Sequence, residues 1–234
     1  MYRSACPPMD QVLTPPSLDF ADARKRMVDS QIRPSHVSDP RILAAMRDLP
    51  REKFVPPGLI ALAYADADIP LDGGRFMAAP LAIARLVQLA RPESGERALV
   101  VGAGTGYGAA LLAACGARVT ALEENLSLVA IARRVLPALA PDVVLAVGAL
   151  AGGWKDGAPY DIILIEGAVH AVPPAIAAQL RAGGGRLVTV RAGRGLASRA
   201  ILAEATPAGL TMRDTFDCAL PALRALLPQQ GFVF

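Results

Sequence analysis

Residues 99–113 read LVVGAGTGYGAALLA, placing a short aliphatic run, a set of alternate glycines and an alanine–leucine run in immediate succession. No other feature constrains the chain as much. The run belongs to an uncharged stretch of twenty residues, Ala98 to Ala117, long enough to cross a membrane as a helix. Gly102, Gly104, Gly106 and Gly108 argue against that, since each glycine inside a helix costs about 1 kcal/mol relative to alanine. Strand, turn and helix remains as the reading, and no membrane partner is expected. Glycines between a strand and a helix let a ligand approach the backbone without meeting a Cβ atom, and the loop's amides are expected to face it. The same glycines also suit a tight turn that binds nothing.

From Arg97 onward, aliphatic runs alternate with helical ones: LVV at 99–101, VTAL at 119–122, VVLAV at 143–147, IILI at 162–165 and RLVTV at 186–190. Leu128, Ile131, Ala132 and Val135 form one helical stripe between them, and Ile176 with Leu180 a second. This rhythm predicts an α/β fold with a doubly wound, mostly parallel sheet. The end, from Leu210 to Phe234, is expected to add antiparallel edge strands, with GFVF the last. Upstream, SDPRILAAMRDL has Ser38 or Asp39 to cap a helix, Pro40 at its first position and an apolar stripe of Ile42, Leu43, Met46 and Leu49. A further helix follows Pro80 and ends by Pro92. The organisation is therefore a flexible tail over 1–20, where Pro7, Pro8, Pro15 and Pro16 block regular structure, a helical segment over 21–92 and an α/β domain over 93–234.

Composition narrows the class. Forty-five of the 234 residues are alanine, so a hydrophobic share of 53% overstates apolar character. Arginine outnumbers lysine by 21 to 3 at a net charge of +3, but no long basic run is present and no nucleic acid is expected as partner. Cys6, Cys115 and Cys218 are about a hundred residues apart; that gives no metal-ligand spacing, and free thiols in a cytoplasmic protein are expected.

The second chemical signal is an acid after the next strand. In ARVTALEE, Glu123 stands 21 residues beyond Gly102, where a carboxylate can accept hydrogen bonds from ribose hydroxyls. A dinucleotide and S-adenosylmethionine both use such a pair. The dinucleotide fingerprint started at Gly102 would need glycine where Tyr107 stands, whereas glycines at 102, 104 and 106 resemble the S-adenosylmethionine loop of Rossmann-like methyltransferases. Two surface glutamates at a helix start are the plainer reading of Glu123 and Glu124.

A wider resemblance runs from about Arg24 to Arg191. RKRMVDSQI, RILAAMRDLPREKFVP, a Gly-Gly turn before FMAAPLAIARLVQLA, GAGTGYGAALLA, PYDIILIEGA and QLRAGGGRLVTV follow one another as in protein-L-isoaspartate O-methyltransferases. The resemblance implies a Rossmann-like methyltransferase sheet, an N-terminal segment partly covering the cofactor, and a carboxylate-bearing protein or peptide, or a small molecule, as acceptor. For S-adenosylmethionine it implies a site of Met77, Ala78, Ala79, Gly102, Ala103, Gly104, Gly106, Glu123, Ala149 and Leu150. Three positions depart from the family. Ala78 stands where the family has its active-site serine, Val100 where an acid precedes the first glycine, and Gly148-Ala149-Leu150 where Gly-Asp-Gly lies near the adenine. Methylation of another acceptor and a non-catalytic nucleoside-binding module are the alternatives.

Other polar residues carry weaker signals. His170 and Glu166, near the end of the fourth expected strand, fall on the side where open α/β sheets take ligands: His170 is read either as orienting or deprotonating an acceptor or as a solvated loop residue, and Glu166 either as facing the sulfonium or the acceptor or as solvated. His36 reads as a surface residue. Trp154 beside Lys155 either covers the adenine face or closes a loop. Arg191 and Arg194 suit a solvated basic loop better than a site for acidic peptide.

Overall fold

The computed structural model describes residues 19–193 and 197–227. The expected GFVF strand, Arg194 and nearly all of the proline-rich tail lie outside them.

The chain opens with α1 (Phe20–Arg26), capped by the Asp19 side chain, and continues without a break into a wider turn of π-helix over Met27–Ile32. Next comes α2 (Pro40–Asp48), where Asp39 is the cap, accepting from the Arg41 amide, and proline takes the first position as its fixed φ favours. A small hairpin of β1 (Ile69–Pro70) and β2 (Phe76–Met77) precedes α3 (Pro80–Ala90). Met27, Val28, Ile42 and Met46 are buried in the same apolar cluster as Leu86, Leu111 and Val100, so the N-terminal helices pack directly on the helical layer of the sheet.

The sheet contains β3 (Arg97–Val101), β4 (Arg118–Glu123), β5 (Val144–Val147), β6 (Ile162–Val169), β7 (Arg186–Arg191), β8 (Arg199–Thr206) and β9 (Gly209–Asp217) in the spatial order β5-β4-β3-β6-β7-β8-β9. The first five run parallel, and β8 and β9 are antiparallel at one edge. Buried-on-both-faces runs such as Ala98–Val101 and Ile162–Ile165 account for the continuous apolar sequence of the central strands. α4 (Tyr107–Ala114) follows β3, and α5 (Leu126–Leu139), capped by Asn125, follows β4.

Two expectations shift. The stripe of Ile176 and Leu180 belongs to a helix of only one turn, α6 (Pro174–Ala177); Leu180 then leaves it to bridge Tyr160. β6 runs four residues past the IILI segment, to Val169: beyond an irregularity after Leu164 it pairs with β7 again at Val190 and Arg191, and on its other side Ala168 donates to Pro221 O and Leu223 donates to Ala168 O, each at 2.9 Å. No helix of the described residues is long and apolar enough to cross a membrane.

Candidate functional site

Strand order reverses direction around β3, whose neighbours are β4 on one side and β6 on the other. At such a switch point the loops leaving the strand carboxyl ends diverge and open a crevice. The glycine loop lies there. Gly102, Gly104 and Gly106 take φ values of +74°, +58° and +97°, a region in which a side chain would be strained.

The loop's amides do not face outward as expected. Those of Gly102 and Ala103 both donate to Leu122 O, that of Gly106 donates to Ala103 O, and that of Gly104 donates to Glu123 Oε2 at 2.7 Å. What the loop presents to the crevice is a surface without Cβ atoms and the carbonyl of Gly102.

Glu123 ends β4 and is fully buried. Its carboxylate accepts from the amides of Gly104, Glu124 and Asn125 and, at 2.7 and 2.9 Å, from Arg75 Nη1. Arg75 also donates through Nη2 to Gly102 O at 2.7 Å. One guanidinium thus bridges the two acceptors that the loop and the strand end supply. Arg75 comes from the turn between β1 and β2, 48 residues from Glu123, and nothing in the local pattern marks it. Leu223 closes the same face: a methyl group built on Gly102 would stand 2.9 Å from Arg75 Nη2 and 3.0 Å from Leu223 Cδ2.

Beside this pair lies a small pocket of about 20 Å³, room for about one water molecule while Arg75 holds its present place, walled by Phe76, Ala78, Glu166, Leu220 and Leu223. Met77 and Ala78 are buried, and Ala78 offers only a methyl group to it. The backbone there is held by Arg51, fully buried, which donates to Ala78 O and Ala63 O at 2.6 and 2.7 Å, while the amide of Ala79 donates to Asp68. Arg51 was not singled out by the sequence; a charged side chain in REKF looks like any solvated arginine. Its burial pushes its pKa down, although the Tyr107 ring lies 4.8 Å away. Glu166 faces the same cavity, half-buried, and burial pushes its carboxyl up to about 8.

At the far end Ala149 is exposed, but the Leu150 side chain is fully buried in the core below; Leu150 meets the site only through its amide, which donates to Glu124. Trp154 packs 3.5 Å from the position a Gly148 Cβ would take. The histidines stand apart. His36 is exposed in a left-handed turn, and His170 is exposed beside Arg191, which pairs with Asp214 at 2.6 Å.

The sequence model of the protein-L-isoaspartate (D-aspartate) O-methyltransferase family matches residues 22–201. The chain belongs to that family. It is 39% identical over 175 residues to a protein-L-isoaspartate O-methyltransferase of Methylorubrum extorquens, covering 75% of this chain and 77% of that one. A Gloeobacter violaceus relative of the same name is 34% identical over 87% of this chain and the whole of its own length. Among solved structures, one protein-L-isoaspartate O-methyltransferase superposes with a TM-score of 0.73 at 25% identity; the chain spans 65% of its length. The fold is shared as well by a Plasmodium falciparum protein solved with S-adenosyl-L-homocysteine, at a TM-score of 0.70 and 17% identity, covering 86% of this chain and 97% of that one. The family's members are S-adenosylmethionine-dependent methyltransferases.

Proposed function

We propose that the chain transfers the methyl group of S-adenosylmethionine to a carboxylate of a protein or peptide acceptor, an isoaspartyl residue above all, as a repair enzyme of the cytoplasm. Family membership supports the reaction class, and the free thiols of Cys115 and Cys218 support a reducing compartment.

The chemistry of the donor set carries the cofactor assignment. Gly102 O and the Glu123 carboxylate are acceptors at a sheet switch point, and both take hydrogen bonds from a single side chain, Arg75. A cofactor with an ammonium group and ribose hydroxyls brings donors of the same kind. The residues present therefore fit S-adenosylmethionine provided that Arg75 gives way: Gly102 and Gly104 would hold its methionine part, Glu123 its ribose, and Met77, Ala78, Ala79, Ala103, Gly106, Ala149 and the Leu150 backbone would complete the cradle. When bound, the cofactor supplies an electrophilic methyl group.

The chain itself has little chemistry to add. An acceptor carboxylate is ionised at neutral pH, so no general base is needed. Alignment of the acceptor and exclusion of water by Phe76, Leu220 and Leu223 do the rest, and orientation of this kind supplies up to about 7–11 kcal/mol. The test is a labelled-methyl assay on an isoaspartyl peptide with its aspartyl isomer as control. Base-labile methyl ester on the isoaspartyl peptide alone is expected. No ester, with S-adenosylhomocysteine binding demonstrated, would contradict the reading.

A further inference from the structure

Glu166 is not used by the reading above, and its surroundings are unusual. It stands on β6, next to the strand that feeds the glycine loop. Its Oε1 is sealed from solvent and, among the described residues, has no hydrogen-bond partner. The atom lies against Gly108, in the first turn of α4, so closely that a Cβ there would overlap it; Gly108 makes the room that this carboxyl occupies. A buried polar atom left without a partner is costly and rare, so a carboxyl held this way calls for a reason. Oε1 is shut against Gly108, while the residue as a whole lines the pocket that it shares with Ala78, whose methyl group offers no hydrogen bond.

Resting on the methyltransferase reading, we propose that Glu166 in its neutral carboxyl form is the acceptor-binding residue, donating its proton in a hydrogen bond to one oxygen of the substrate carboxylate. The other acceptor oxygen is left free to take the methyl group, and the Glu166 proton stays where it is, so no further acid or base is consumed. Hydrogen bonds of this charge-assisted O–H···O⁻ type are short and about twice as strong as neutral ones.

The electrostatics agree with the geometry. Burial is the largest influence on Glu166 and raises its pKa to about 8; Arg75 from the β1–β2 turn and Arg51 beneath α4 pull it down, and Glu123 from β4 pushes it up. The group is then a donor at neutral pH and turns into a repelling carboxylate above about 8.

Two readouts test this. The first is the affinity of an isoaspartyl peptide for the protein saturated with S-adenosylhomocysteine, measured across pH 6 to 9.5. The unaltered protein is expected to lose affinity above pH 8, about tenfold per pH unit, whereas Glu166→Gln, a permanent amide donor of the same shape, stays within threefold of the pH 7 value throughout. The second is methyl transfer: Glu166→Gln is expected to lose the alkaline fall, and Glu166→Ala to raise KM for the peptide at least tenfold with a smaller change in kcat. A pH-independent affinity in the unaltered protein, an alkaline fall that persists in Glu166→Gln, or a peptide KM unmoved by Glu166→Ala would each overturn the proposal. Unaltered protein that binds S-adenosylhomocysteine but neither binds nor methylates isoaspartyl peptide at any pH would overturn the functional reading and this proposal together; methylation without the pH dependence would overturn this proposal alone.

Discussion

Two glutamates stand at the carboxyl end of the sheet, on the strands flanking β3, and they have opposite environments. Glu123 on β4 is fully buried and accepts from three amides and one guanidinium. Glu166 on β6 has an oxygen that lies against Gly108 and has no hydrogen-bond partner among the described residues, and burial drives the carboxyl toward its neutral form. The same side chain therefore serves at one place as a charged acceptor and at its neighbour as a donor. Here the cofactor side of the crevice is built from a satisfied carboxylate, and the acceptor side from an unsatisfied one.

The contrast is broken most severely by Glu123→Ala. That change strands Arg75, whose side chain is 11% exposed, and the Gly104 amide without partners, and loss of one member of a buried pair is expected to cost about 3–5 kcal/mol in urea unfolding. A cost under 1 kcal/mol would show that the pair is not formed in solution.

The pH dependence of stability sharpens the contrast on the other side. Glu166 has a folded pKa raised to about 8 from an ordinary 4.5, so the folded state holds the proton more tightly than the unfolded chain. Its contribution is complete below about pH 4.5 and is lost as pH rises to about 8. The ceiling is about 1.4 kcal/mol for each pH unit in that window, and for a half-buried group about 2–3 kcal/mol in total is expected. Unfolding curves from pH 5 to 8.5 should show the decline in the unaltered protein and not in Glu166→Gln. Equal declines in both would remove Glu166 as its source.

Next in size is Arg75→Gln. Removing the guanidinium frees Gly102 O and Glu123, and S-adenosylhomocysteine is expected to bind about tenfold more tightly, a change of about 1.4 kcal/mol. The single tryptophan, Trp154, packed near Gly148, gives a fluorescence readout for the titration. Weaker binding by the variant would show that Arg75 helps hold the cofactor instead of standing in its place. An effect of similar size is expected from Gly102→Ala, which forces a methyl group into a left-handed position against Arg75 and Leu223 and should lower stability by about 1–2 kcal/mol in urea unfolding.

Much of this arrangement is legible in the sequence where the signal is local. Asp39 and Pro40 announce α2 because cap and first-turn residues act within three positions, and the central parallel strands show as aliphatic runs because both their faces are covered. The loop–acid pair, Gly102 to Glu123, is equally local to one β–α–β unit. What escapes is anything fixed by long-range packing. The Arg75–Glu123 contact joins residues 48 apart, and Arg51 reaches Ala78 O across 27. The inward turn of the loop amides depends on the carbonyl of Leu122 in the neighbouring strand. Glu166 reads as a strand-end residue because IILI marks where the aliphatic run stops, but renewed pairing with β7 beyond a bulge, with Pro221–Leu223 on the other side, carries β6 onward and places that glutamate within it. Leu150, expected to touch the cofactor, points into the core because the one-turn helix it begins packs beneath the sheet end.

The central claim is that the acceptors now held by Arg75 belong to the cofactor. A crystal structure of the complex with S-adenosylhomocysteine measures this directly. The account predicts the ribose hydroxyls on the Glu123 carboxylate, the cofactor's ammonium at Gly102 O, and Arg75 withdrawn from both. A complex in which Arg75 still bridges Glu123 and Gly102 O, with the cofactor bound elsewhere, would contradict it.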